Sequence, residues 1–162
     1  MARTERASDK LGGKPYRQIV ARHVAKKFGE FGIEVYEEVA WGSSIIGKNR
    51  KVDLLVVSRE RGIAVALQAK YQTTAGTADE KIPYALADCE AMWIPAAVVF
   101  GGDGWSPGVR HLLQGSRHAV ALEVDARGGV RNSRELDAFL AQQFKVWDVA
   151  LKGKKPFPGG RR

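Results

Sequence analysis

Three polar residues lie at the ends of two apolar segments that are close together in the sequence. Asp53 is near the start of segment 51–57, and Gln68 and Lys70 are near the end of segment 63–72. Valine, isoleucine and leucine dominate both segments, and charged residues with a glycine separate them, which predicts a buried β-hairpin. Residues two apart on a strand share a face, so the hairpin brings an acid, an amide and an ammonium group to one rim of the sheet. Buried aspartate and lysine are rare unless paired or functional. We therefore expect the chemistry here, and the alternative is an Asp53–Lys70 ion pair that only ends the strand.

The loop that leads into the first of these strands is basic. Lys48, Arg50 and Lys51 precede Asp53 directly. Their side chains should lie near the three polar residues, which suits contacts to phosphate groups.

The segment after Lys70 predicts a helix start beside the same rim. Thr77 and Glu80 have the spacing of a capping box, S/T-x-x-E. The N-terminus of a helix offers free N–H groups to an anion. The predicted nucleic-acid contacts are Lys48, Arg50, Lys51, Gln72, Thr77 and Lys81.

Helical and strand patterns alternate along the rest of the chain. Apolar residues recur at helical spacing over 15–28, and residues 33–41 predict a first strand. The later segments predict a helix from Thr77 towards Met92, a strand at 96–100, a helix capped by Ser106, a strand at 119–124 and a helix capped by Asn132 or Ser133. The order αβββαβαβα predicts an α/β domain, with a mixed central sheet flanked by helices. We expect a flexible basic arm over 1–14, one domain over 15–151, and a basic tail rich in proline and glycine over 152–162.

The net charge of +8 is concentrated at the two ends of the chain. Residues 1–18 carry +3 and residues 152–162 carry +5, whereas residues 19–151 hold sixteen basic and sixteen acidic residues. A neutral body with basic ends indicates a polyanionic partner, and we expect nucleic acid. The alternative is that such ends serve only solubility. No apolar run is long enough for a membrane span, and no secretory signal is visible. Cys89 is the only cysteine, which is typical of a reducing cytosol, so we expect a cytoplasmic or otherwise intracellular protein.

Histidine and tryptophan offer little further chemistry. His23 lies in the apolar stripe of the first helix, and we interpret it as a packed, hydrogen-bonded core residue. The four tryptophans are expected in the core or in an interface rather than as platforms for stacked bases.

An N-terminal helix followed by three strands, with Asp53 opening the second and Gln68-Ala69-Lys70 closing the third, resembles the PD-(D/E)XK nuclease superfamily. That superfamily includes many restriction endonucleases and Holliday-junction resolvases of prokaryotes and phages. The resemblance covers residues 15–125, and segment 76–83 is similar to one that follows the catalytic lysine in some of these proteins. It implies a restriction-endonuclease-like fold. It also implies that Asp53 and the backbone carbonyl of Ala69 bind Mg²⁺, and that Lys70 acts on the attacking water or on the phosphate.

Two positions depart from the superfamily's pattern. Gln68 replaces the usual acid, so we expect an uncharged oxygen ligand there. The first helix has no acid between Tyr16 and Phe28, where Gln18 is the only matching polar candidate. The third acid is expected to be Glu80, with Glu37 and Glu38 as alternatives.

These residues together predict a DNA endonuclease that depends on Mg²⁺, with Mn²⁺ as a substitute. With little chain left for a recognition domain, we expect cleavage selective for junction or branched DNA, as in a Holliday-junction resolvase, by a homodimer. The alternatives are a restriction-type endonuclease that reads a short sequence, and a DNA-binding module on the same fold without catalysis.

Overall fold

The computed structural model describes residues 11–159. Its helices are α1 (Gly13–Phe28), α2 (Ala78–Ala91), α3 (Pro107–Gly115), α4 (Arg134–Phe144) and α5 (Trp147–Leu151). Its strands are β1 (Ile33–Ser43), β2 (Asn49–Ser58), β3 (Ile63–Tyr71), β4 (Ala96–Gly101), β5 (Ala119–Ala121), β6 (Glu123–Val124) and β7 (Val130–Asn132). None of the helices within this range is long and apolar enough to cross a membrane.

The central sheet is mixed and has the strand order β1-β2-β3-β4-β5. β1, β2 and β3 pair antiparallel, and β3, β4 and β5 pair parallel through the crossover helices α2 and α3. The predicted α/β fold with a mixed sheet flanked by helices is therefore confirmed.

Two details of the structure differ from the predicted order of elements. The strand predicted at 119–124 was wrong as a single element, because β5 ends at Ala121 and β6 pairs with β7 in a separate two-stranded sheet. α5 follows the last predicted helix as an additional short helix. Most of the predicted basic arm lies outside the described residues, and α1 begins within it at Gly13. The division into arm, domain and tail stays a prediction.

Each face of the sheet carries its own hydrophobic core. Because neighbouring strand residues point to opposite faces, Leu54 and Leu67 pack with α1 and α4, whereas Leu55 and Ala66 pack with α2 and α3. Tyr16 on α1 is fully buried in the first core, where its hydroxyl donates a hydrogen bond to the carbonyl of Leu122.

The hairpin of β1 and β2 bends at the level of Glu38 and Asp53. Leu54 lies in the core under α1, yet Val52 and its cross-strand partner Val39 pack in the core under α2. Residues two apart on a regular strand would share a face, so both strands rotate between these positions. Glu38 has a φ of 53° and is not paired with Asp53, although the pairs on either side are formed. The far end of the hairpin therefore folds over α2.

A buried ion pair holds the hairpin against α2. Both Arg50 and Asp88 are less than 10% exposed, and Nε and Nη2 of Arg50 each donate to the Asp88 carboxylate at 2.9 Å. The same carboxylate accepts a hydrogen bond from the backbone N–H of Ile45 at 3.2 Å. One acid on α2 thus fixes both a strand and the loop of the hairpin.

A second buried acid joins α1 to α4. Asp137 accepts hydrogen bonds from Lys27 at 2.6 Å and from Ser133 at 2.7 Å, and its other oxygen lies 2.8 Å from Nε2 of His23. Burial raises the pKa of Asp137, but the hydrogen bonds from His23, Lys27 and Ser133 outweigh it and hold that pKa below its usual range. The predicted hydrogen bonding of His23 is confirmed, but its placement in the core was wrong, because His23 is only partly buried and lines a surface cavity beside α1.

Candidate active site

The ladder between β2 and β3 stops at the pair Leu54–Leu67, and side chains replace the next backbone contacts. The N–H of Asp53 donates to Oε1 of Gln68 at 3.3 Å, and the N–H of Ala69 donates to Oδ2 of Asp53 at 2.8 Å. The acid and the amide are therefore linked across a gap between the two strands, at the point where the hairpin bends.

The backbone carbonyl of Ala69 faces the same gap. In an antiparallel pair, the N–H and C=O of one strand residue point to the same neighbouring strand. Since the N–H of Ala69 points towards Asp53, its carbonyl oxygen also points towards β2. Three oxygen groups, from Asp53, Gln68 and Ala69, thus belong to one small region.

A cavity of about 320 Å³ lies between β3 and α2. Gln68 links it to Asp53, because its side chain lines the cavity and also accepts the hydrogen bond from that residue. The two lysines in its wall make it suitable for an anionic group. Its lining residues are Gln68, Lys70, Lys81, Tyr84, Ala85 and Asp88.

The thiol of Cys89 is buried in the core between the sheet and α2. Burial raises its pKa to about 12, and Asp88 adds to that rise, while the charges of Arg50 and Lys70 offset part of it. Because a thiol attacks only as the thiolate, Cys89 serves the core at neutral pH.

The sequence of residues 11–147 matches the family model described as the PD-(D/E)XK nuclease superfamily domain. The chain belongs to the PD-(D/E)XK nuclease superfamily. The resemblance inferred from the Asp53 and Gln68-Ala69-Lys70 pattern is therefore confirmed. Nucleases of this superfamily generally use divalent metal ions.

Solved structures with some similarity to this superfamily member include three different proteins. A crystallised protein of unknown function is 13% identical over 67% of this chain and 58% of its own, with a TM-score of 0.43. A repair endonuclease from Pyrococcus abyssi is 17% identical over 72% of this chain and 46% of its own, with a TM-score of 0.35. The MspJI restriction endonuclease, solved with a 27-mer oligonucleotide, is 19% identical over 88% of this chain and 34% of its own, with a TM-score of 0.37. The chain thus spans only part of the length of these proteins. No curated protein matches the sequence.

Glu80 is the residue expected to supply the superfamily's third acid, and that role stays a prediction. Glu80 is exposed in the first turn of α2 and does not line the cavity. The predicted capping box was wrong, because Thr77 has helical backbone angles and its side chain makes no cap. Asp79 instead lies at this helix start and accepts hydrogen bonds from Nε2 of Gln72 and from the N–H of Ser106.

Glu38 is the acid level with Asp53 in the register of the hairpin. Its carboxylate, however, is held by Arg17 of α1 at 3.3 Å, and the same guanidinium binds Glu37 at 3.4 Å. Gln18, the polar candidate on α1, is partly buried. Within residues 11–159, no group of three or more histidine, cysteine, aspartate or glutamate side chains could hold a metal ion.

The oxygen groups of Asp53, Gln68 and Ala69 nevertheless fit a divalent cation of the magnesium type. Such ions prefer oxygen ligands and keep several waters, so a few protein ligands suffice. The hydrogen bond from Ala69 occupies only one acceptor position of the Asp53 carboxylate, which can accept about four. The set carries a single negative charge, because Gln68 stands in the place of an acid.

Two of the six predicted nucleic-acid contacts are buried and have structural partners instead. Arg50 is held by Asp88, and Gln72 is 7% exposed and donates to Asp79 and to the carbonyl of Gly104. The other four side chains are exposed: Lys48, Lys51, Thr77 and Lys81.

Arg17 and Asp88 were missed from the sequence. One feature of the sequence could have indicated that Asp88 is buried: it is an acid within the apolar stripe of α2, next to Cys89. No local pattern indicated the role of Arg17, because its partners Glu37 and Glu38 lie on β1.

Proposed function

We propose that the protein is a metal-dependent endonuclease that hydrolyses phosphodiester bonds in DNA, with Mg²⁺ or Mn²⁺ as the metal. The observation that carries the proposal is the link between Asp53, Gln68 and Ala69 at the edge of a cavity lined by two lysines. Membership of the nuclease superfamily supports the same conclusion.

In the proposed mechanism, Asp53, the amide oxygen of Gln68 and the carbonyl of Ala69 would hold the metal. When bound, a divalent cation supplies an activated water and neutralises charge on the phosphate. Lys70 orients that water or stabilises charge that grows on the phosphate in the transition state. Lys81, across the same cavity, binds a phosphate of the substrate.

We propose that the substrate is branched or junction DNA. Lys48, Lys51, Thr77 and Lys81 contact phosphates in this proposal, together with the basic ends of the chain. Two cuts require two sites, so we propose a homodimer, which sedimentation can test.

The test is a cleavage assay with branched and linear DNA in Mg²⁺. Asp53→Ala and Lys70→Ala should each lower the cleavage rate on the order of 100-fold or more. Lys26→Ala, at an exposed position of α1 on the other face of the sheet, should change it little. Cleavage that survives both site substitutions refutes the assignments. Discrete fragments from a linear plasmid, rather than cuts at branches, would instead indicate sequence reading.

A second candidate is a DNA-binding module without catalysis. The observation that favours it is the single negative charge of the three oxygen groups of Asp53, Gln68 and Ala69. Gln68 replaces an acid there, and Glu80 does not line the cavity. Salt-dependent DNA binding, with no Mg²⁺ uptake by calorimetry and no cleavage, would support the binding module and exclude the nuclease.

A further inference from the structure

The tip of the β1–β2 hairpin, residues 44–48, exposes two large apolar side chains. Ile45 is 47% exposed and Ile46 is 60% exposed. The tip is a tight turn, in which the N–H of Ser44 donates to the carbonyl of Lys48 at 2.7 Å and the N–H of Gly47 donates to the carbonyl of Ser44 at 2.9 Å. Backbone hydrogen bonds close this turn without either isoleucine side chain. The exposure of two large apolar side chains therefore suggests that they contact another molecule.

The hairpin tip is held firmly in place. The carboxylate of Asp88 binds the N–H of Ile45 and also forms the buried pair with Arg50. Burying two charges has a high desolvation cost, which the mutual hydrogen bonds of the pair offset only while the hairpin stays packed on α2. The tip is thereby fixed relative to α2, which also carries Lys81 and lines the candidate active site.

The charge around the hairpin tip favours one class of partner. Residues 39–52 contain no acid. Arg50 is neutralised by Asp88, so the exposed Lys48 and Lys51 carry the positive charge of the tip. Trp93, which is 87% exposed, lies beside Gly42 of the same hairpin. Apolar side chains flanked by unbalanced positive charge match open base steps between phosphates. A second copy of this chain would instead bring like charges together.

We propose that the hairpin tip is a wedge that enters an opened base step of the DNA substrate, with Ile45 and Ile46 against the bases. Lys48 and Lys51 bind the flanking phosphates. The unstacking of bases rests on the proposed function only in taking DNA as the partner, whereas the distance to the cut rests also on Asp53 as the cleavage site.

The length of β2 limits where the wedge acts. Ile46 is seven positions before Asp53, so at most about 24 Å separates them along an extended strand. That distance corresponds to roughly seven base pairs. The wedge therefore places the scissile phosphate within about one turn of the DNA helix from the opened base step. Branch points and mismatches, where base steps open readily, would then be preferred substrates.

The experiment uses branched DNA with 2-aminopurine beside the branch, and it is run without divalent metal so that binding is separate from cleavage. The wild-type protein should raise the 2-aminopurine fluorescence as the base unstacks. The double variant Ile45→Ser/Ile46→Ser should abolish that rise and weaken binding on the order of tenfold. Leu151→Ser is the matched control, because Leu151 is 55% exposed on α5, and it should behave as the wild type.

Each outcome decides between two explanations. A double variant that still unstacks the base overturns the wedge, and so does a loss of binding that sedimentation traces to a dissociated dimer. If the wild-type protein unstacks DNA but never cleaves it in Mg²⁺, the nuclease proposal fails and the wedge stands. If it cleaves DNA without any rise in fluorescence, the wedge fails and the nuclease proposal stands.

Discussion

Replacing Asp88 with alanine should destabilise the protein by about 3–5 kcal/mol, the usual cost of leaving one partner of a buried ion pair alone. The variant keeps the guanidinium of Arg50, which is 8% exposed, without its two charge-assisted hydrogen bonds. The N–H of Ile45 loses its acceptor as well. For a chain of this size the loss corresponds to a fall in melting temperature of roughly 10 °C.

Urea unfolding followed by circular dichroism measures this free energy, and the double variant Arg50→Met/Asp88→Leu supplies the control. Because it removes both charges and keeps apolar volume, it should recover most of the stability. Hydrogen exchange at residues 44–48 should accelerate in Asp88→Ala. A loss below about 1 kcal/mol, which is typical of exposed pairs, would refute the role given to Asp88. So would a double variant as unstable as the single one.

Three further predictions concern a close contact, a titration and the metal ligands. A Cβ at Gly104 would overlap the backbone of Thr74, so Gly104→Ala should lower the free energy of unfolding by about 1–3 kcal/mol. The folded state lowers the pKa of Asp137; its stabilisation should be complete above about pH 4 and be lost as the pH falls through the folded pKa. Gln68→Glu adds a charge to the oxygen ligands, so calorimetry should show Mg²⁺ binding on the order of tenfold tighter.

Each of these has its own control. Gly108→Ala, at a helical position with open space around the added Cβ, should be neutral or stabilising in the same urea assay. Asp137→Asn should flatten the acid limb of the stability profile, and an unchanged limb would exclude Asp137 as its source. Unaltered Mg²⁺ affinity in Gln68→Glu would mean that position 68 does not contact the metal.

The sequence was sufficient to predict the hairpin that carries the candidate site. Its evidence was local, since two apolar segments separated by a short charged turn have few other ways to fold. Asp53 and Gln68 come into contact for the same reason, because a hairpin fixes which residues face each other. The end of β5 was less clear, although Gly128 and Gly129 could have indicated the turn of the small second sheet.

Long-range partners account for what the sequence did not reveal. Arg50 was predicted on the surface from its basic neighbours, but its partner Asp88 is 38 positions away. Gln72 bonds to Gly104, 32 positions away. The bend at Glu38 accompanies the packing of the hairpin on α2, and no pattern within β1 indicates it.

The bend at Glu38 also affects how the sheet behaves towards other chains. β1 is an outermost strand, and a long unpaired strand of this kind is a template for aggregation. The left-handed backbone at Glu38 interrupts the row of free N–H and C=O groups. Charged side chains along the strand, those of Glu34, Glu37 and Glu38, also disfavour the pairing of a further strand. The distortion that interrupts the ladder at Asp53 thus also disfavours edge-to-edge pairing of β1 with a second chain.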